Sequence, residues 1–239
     1  MKKKIILSSA IACLVLVGCA ELIALIPSTG SKTGGLTTGE IVQGLKEALS
    51  VGASNASFSA SKTDGFYRNP QIFIPVPPEA IKVKNALEQA GLSSLVRDFE
   101  MSLNRAAEEA AKKALPIFKK AITGITIPDA VGILRGSNNA ATMYLKSRTE
   151  ADLKSEFVPV VKSALQTVEV ARYWSPVASA YNKLSKLTGG SPVNPNLEEY
   201  ITQKSLDGLF LLIAQEEQKI RQNPAARVTE ILRKVFGAQ

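Results

Sequence analysis

Gly208-Leu209-Phe210-Leu211-Leu212-Ile213-Ala214 is apolar on every side. It lies midway along a helical pattern opened by Asn196 and Glu199, a capping-box pair, and running to about Gln222. A helix that is hydrophobic all round is a buried one. Charge on both flanks and the shortness of the run, against the ~20 residues a bilayer demands, exclude a membrane span. The stretch therefore predicts a central helix. The fold class that follows is all-α, a single multi-helix orthogonal bundle of roughly eight helices around Leu206–Ile213, with one short extended Pro-rich arm.

Helical spacing continues outward from it. Asn223-Pro224 reads as an N-cap followed by a first-turn proline, opening a last helix with Val228, Ile231, Leu232, Val235 and Phe236 on one stripe and Gly237 at its end. Upstream, Gly189 to Pro195 is a loop. Arg172 to Leu187 reads as a helix interrupted by Pro176. Thr149 caps another, running from Glu150 toward Val170 with a kink at Pro159. Asn138 or Asn139 caps the helix before it. Pro128 opens a short helix through Leu134, stopped by Gly136. Leu92 to Ala114 forms a longer one, with Leu95, Phe99, Leu103 and Ala106 on one face, and Pro116 breaks or kinks it. Pro78 begins a helix closed by Gly91. The first helix starts at Thr37 or Thr38, where Thr37 and Glu40 form a capping box, and its pattern ends in the small, polar run Ser54 to Ser61. Between residues 62 and 78, Asp64-Gly65 and Asn69-Pro70 are turn signals. Ile72, Ile74 and Val76 alternate on one face there, while Pro75 and Pro77 cannot donate to a ladder. An apolar arm laid across helices is expected.

Lys2, Lys3 and Lys4 precede an apolar stretch, Ile5 to Val17, that ends in Leu16-Val17-Gly18-Cys19. This is the pattern of a signal peptide, and its end looks like a bacterial lipobox. That resemblance implies cleavage before Cys19 and lipidation of Cys19. Residues 1–18 are then a signal peptide, 19–35 a lipidated N-terminus and flexible tether, and 36–239 a helical domain. Ala20 is not the aspartate that resembles an inner-membrane retention signal, so the expected location is the periplasmic face of an outer membrane.

Composition narrows the chemistry. The chain has no histidine, which removes the commonest general base and metal ligand. Cys13 leaves with the signal, and acylation occupies the sulfur of Cys19. No metal, cofactor or disulfide is expected. The net charge of +8 falls to +5 once Lys2, Lys3 and Lys4 are removed, a mild excess suited to anionic lipid. The short pairs Lys112-Lys113, Lys119-Lys120 and Arg233-Lys234 do not make the dense stripe a nucleic acid requires.

Four ordered blocks carry a family resemblance. They are Asp64-Gly65-Phe66-Tyr67-Arg68-Asn69-Pro70 with Ile72 to Pro75; Phe99 to Glu108; Asp129-Ala130 with Ile133-Leu134 and Ala140 to Leu145; and Asp207 to Phe210 through Glu217, Ile220-Arg221, Asn223 to Arg227 and Val235 to Gly237. Together they resemble the bacterial envelope family known as domain of unknown function 4197. Phe66-Tyr67 stands where that family often has Tyr-Phe, and Leu145 where it often has Phe. The resemblance implies a mostly helical lipoprotein domain and brings no activity.

Three polar clusters are candidate sites. Asn104, Arg105 and Glu108 lie within one helical turn. They form either a clamp for an anionic ligand or a network fixing their helix against the Asp64–Pro70 loop, and the network is preferred because buried polar clusters serve packing specificity. Thr142 and Tyr144 follow Gly136-Ser137-Asn138-Asn139, where free helix amides can hold a phosphate or carboxylate; a plain cap is the simpler reading. Glu217 and Arg221 have favourable i,i+4 spacing. Arg227, close after a helix start, is expected to need a carboxylate, Glu216 or Asp207. No catalytic residue is assigned. The expected function is a non-catalytic envelope lipoprotein, a binding or structural module anchored by Cys19, with an envelope protein or apolar ligand as partner. A lipid or small-ligand carrier with a cavity between helices is the first alternative, and a histidine-free carboxylate hydrolase the second.

Overall fold

The Thr37 hydroxyl accepts the Glu40 amide while the Glu40 carboxylate takes the Thr37 amide, and the resulting cap starts α1 (Thr38–Ser61). The structure is a computed structural model that describes residues 37–166, 182, 183, 186, 192 and 196–237. The expected Arg172–Leu187 helix and Gly189–Pro195 loop lie largely outside the described residues, as do the signal segment and tether. Described elements after α1 are α2 (Ile81–Gln89), α3 (Ser93–Ala111), α4 (Ala114–Thr123), α5 (Ile127–Arg135), α6 (Ala140–Gln166), α7 (Leu197–Gln222) and α8 (Glu230–Gly237), with 3-10 turns at Pro78–Ala80 and Pro224–Ala226. No strand occurs among the described residues, and the chain is all-α.

The central helix stands where it was expected. The Asn196 side chain accepts the Glu199 amide, and α7 ends at Gln222. It packs against α1, α3 and α6, burying Leu206, Leu209, Phe210, Leu212 and Ile213 in one continuous core. Its apolar run is not covered all round, since Leu211 remains 41% exposed.

Several boundaries differ from the expectation. α1 runs on through Ser61 because Ala53, Ala56, Ser57 and Ala60 face the core; small residues there serve close helix approach and are no terminator. Thr149 caps nothing. It sits inside the unbroken α6, where its hydroxyl donates to the Leu145 carbonyl one turn back, and Pro159 is carried within the helix. α3 stops at Ala111, and Pro116 falls in the first turn of α4, where its missing N–H costs no bond. Val96, not Leu95, joins the core at the start of α3. Asn223-Pro224 opens only a 3-10 turn, so Val228 lies outside the last helix and is 62% exposed. α2 closes as expected: Gly91, at φ 81°, lets the Leu92 amide reach back to Leu87 and its own amide to Glu88, a Schellman end.

The arm from Lys62 to Pro77 is bound by side chains in place of a ladder. Phe66, Ile72, Ile74 and Val76 are all buried. Gly208 of α7 permits this, because a Cβ there would stand 2.9 Å from both Ile72 Cβ and Phe66 Cε1.

Candidate functional site

The first polar cluster is a lock between α3 and the arm. Asn104 is fully buried. Its Oδ1 accepts the Ile74 amide at 2.8 Å, and its Nδ2 donates to the Ile74 carbonyl at 2.9 Å and the Glu100 carbonyl at 2.7 Å. One amide side chain thus satisfies both backbone groups of an arm residue that has no strand partner. The Glu108 Oε1 accepts the Phe66 and Tyr67 amides at 3.0 and 3.2 Å. Arg105 bridges Glu108 and Asp64, at 2.6 Å to each, and lies over the Tyr67 ring; its pKa is raised, first by the hydrogen bond to Glu108. Asp64 adopts φ 65°, a conformation Asp tolerates better than most residues, and its second oxygen meets Arg68 Nε at 3.2 Å. These contacts join Asp64, Asn104, Arg105 and Glu108 into one network between α3 and the arm.

The second cluster joins two sequence-distant candidates. The amides of Ala141 and Thr142 and the Thr142 hydroxyl, at the start of α6, all donate to the Glu217 carboxylate of α7, at 3.0, 2.8 and 2.8 Å. The free helix amides do hold a carboxylate, and it belongs to the protein. Arg221 pairs with Glu217 at 2.9 Å and donates to the Ile133 carbonyl, also at 2.9 Å, and to that of Leu134. Glu217 therefore faces the positive end of α6 while Arg221 faces the negative end of α5, each sign placed as the helix dipole favours. Tyr144 is not part of this cluster. Its hydroxyl points to Asp129, and Arg148 lies over its ring; burial raises its pKa.

Among the described residues, no carboxylate accepts a hydrogen bond from Arg227. It donates to the Ile220 and Arg221 carbonyls at 3.1 and 3.0 Å, the open last-turn groups of α7. Glu216 goes to Asn55 and Lys219, and Asp207 to Gln203. The cation is held by a helix end, a partner that charge counting does not suggest. A further cap was missed altogether: Thr126 and Asp129 form a capping box on α5, legible as Thr-x-x-Asp. The Thr126 hydroxyl is the main cause of a lowered Asp129 pKa.

What remains open is on the surface. Between Leu45, Ile213, Glu217 and Phe236 lies a cavity of about 20 Å³, room for about one water. An open polar groove of about 620 Å³ runs between α1, the 62–71 turn and α7, lined among others by Asn55, Lys62, Asp64, Arg68, Gln71 and Glu216. No group of three or more His, Cys, Asp or Glu fit to hold a metal occurs among the described residues. No described helix is long and apolar enough to cross a membrane.

Fold and clusters define a helical domain whose buried charges hold its own elements together. The chain belongs to the family of proteins of unknown function DUF4197, whose model matches residues 35–237. No curated protein and no solved structure matches it.

Proposed function

We propose that this protein is a non-catalytic lipoprotein of the bacterial envelope. Acylated Cys19 anchors it, residues 20–35 space it from the bilayer, and the helical domain binds a partner or ligand at its surface. The periplasmic face of an outer membrane is the proposed location. The observation that carries the non-catalytic part is the state of the buried acids. Among the described residues these are Glu108 and Glu217, and each is taken up by two backbone amides and an arginine. A general acid or base has to offer a proton site to substrate, and these two offer theirs to the fold. A carrier with an apolar cavity between helices is less well supported, because the apolar cavity at Leu45 and Phe236 is only about 20 Å³, far below the few hundred cubic ångströms a bound ligand fills, and the larger groove is open and polar. The polar groove is a concave surface open to a ligand, and a second, of about 380 Å³, lies between α4, α5 and α6 beside Thr126, Asp129, Tyr144 and Arg148. The anchor rests on Lys2 to Cys19 alone.

The test of the anchor is the mass of the tryptic peptide Cys19–Lys32 from envelope fractions. A peptide carrying a diacylglyceryl thioether and an amide-linked acyl chain is the expected product. An unmodified Cys19, or a mature chain starting elsewhere, would remove the lipoprotein reading.

A further inference from the structure

We propose that the groove between α1, the 62–71 turn and α7 is an anion receptor that takes a polar molecule bearing a phosphate or carboxylate group. The proposal deepens the reading of this domain as a binding module by naming what the groove binds. It rests on an inventory of donors and acceptors. Both oxygens of Asp64 are engaged, one by Arg105 and one by Arg68. Both oxygens of Glu216 are engaged, by Lys219 and Asn55. The Asn69 side-chain oxygen accepts the Gln71 amide, and the Gln71 side-chain oxygen accepts from Gln215.

Among the described residues of the groove, the groups left without a partner are mostly donors. They are the exposed Lys62 ammonium, the outer guanidinium nitrogens of Arg68, the remaining N–H groups of Lys219, and the side-chain NH₂ groups of Asn69 and Gln71. Set against them are the amide oxygens of Asn55 and Gln215, the two-way hydroxyls of Ser59 and Thr63, and the last-turn carbonyls of α1 beside Gly65, which have no intrahelical partner; the N–H groups still outnumber them. The Arg68 side chain is 77% exposed, so its outer edge is open to two oxygens at once, the geometry that favours phosphate and carboxylate. A peptide backbone brings as many donors as acceptors and leaves most of these N–H groups unmet, whereas an oxyanion brings acceptors only. The volume exceeds that of a bare phosphate and falls in the range of small-ligand sites, so the rest of the ligand is polar and lies along the amide side chains.

The acylated protein in phosphatidylcholine vesicles is labelled with an amine reagent, and Lys62 and Lys219 are compared with Lys154 on α6 by mass spectrometry. sn-Glycerol 3-phosphate is expected to slow labelling of Lys62 and Lys219 and leave Lys154 unchanged, while glycerol does neither. Arg68→Ala, at an exposed position, should raise the half-protecting concentration about tenfold by removing a charge-assisted contact. Protection by phosphatidylglycerol in the vesicle without added ester identifies a lipid headgroup as the source; protection by the free ester alone identifies a soluble molecule. Equal labelling under all conditions overturns the proposal, as does protection that survives in the Lys62→Ala/Arg68→Ala variant. A chain that fails to float with the vesicles refutes the lipid anchor instead, and the same reagents then test the groove in free solution.

Discussion

Glu217→Ala should be among the most damaging single substitutions in the domain. The side chain is 7% exposed, and its partner Arg221 is 9% exposed. Truncation strands the amides of Ala141 and Thr142 and leaves Arg221 with only the Ile133 and Leu134 carbonyls. Removing one member of a buried ion pair costs about 3–5 kcal/mol because the other charge stays buried, a large part of the ~5–15 kcal/mol that holds a typical domain folded. Glu217→Gln keeps the shape and an acceptor for the amides but faces Arg221 with a neutral group, so about 2 kcal/mol is expected from loss of charge-assisted bonding. Adding Arg221→Met to Glu217→Gln should cost less than the two single changes together, with a coupling of about 2 kcal/mol. Urea unfolding followed by circular dichroism measures the wild type, the three single variants and the double variant. The neighbouring cavity of about 20 Å³ already has room for a water, and truncation enlarges it. If water replaces the carboxylate in full, Glu217→Ala falls below about 1 kcal/mol, and the reading that the Glu217–Arg221 pair holds α5 and α6 to α7 is refuted.

Asn104→Leu should cost about 3 kcal/mol by leaving the Ile74 amide and carbonyl buried without partners, and hydrogen exchange should speed up at Ile74 while α7 stays protected; an unchanged rate there would contradict the lock. Gly208→Ala should destabilise by about 1–3 kcal/mol through overpacking against Ile72 and Phe66, despite the gain in helix propensity, and a more stable variant in thermal unfolding would show that the arm can shift. The Glu40 carboxyl is held at about 2, below its usual 4.5, first by hydrogen bonding to Lys234 and then by the Thr37 amide. A depressed acid stabilises the fold above its unfolded pKa and loses that contribution as pH falls through the folded value, so the Glu40–Lys234 tie should weaken between pH 4.5 and 2, while Glu40→Gln should flatten the stability profile in that window alone.

The helices were legible because periodicity and caps are local. Thr37 with Glu40, Asn196 with Glu199, and Gly91 each act within a turn of their own residue. The errors lie where a distant element overrides local chemistry. Thr149 has the composition of a cap, yet α4 and α7 pack along α6 and a continuous helix buries Leu145, Leu153 and Phe157 together. Ser54 to Ser61 looks like an ending until helices are found close against it. The pairs Arg105–Glu108 and Glu217–Arg221 could be read from spacing. Their targets are legible only as regions, the Asp64–Pro70 loop and the free amides at the start of α6; that Glu108 meets Phe66 and Tyr67 and Glu217 meets Ala141 and Thr142 is not, because backbone groups carry no sequence signature of their partner. The groove is not legible for a different reason: its walls come from distant segments, Asn55 and Glu216 being 161 positions apart.

A Cβ on Gly44 would stand 2.5 Å from the nearest methyl of Val235, and Glu40 meets Lys234 across 194 positions. The seam between α1 and α8 therefore joins segments that are synthesised far apart in time. α1 can nucleate early from its own capping box, but this part of its apolar face stays exposed until α8 has been made. Such non-local closure slows folding and leaves an incomplete chain prone to association. Loss of α8 should accordingly yield an insoluble chain, not a slightly shorter domain.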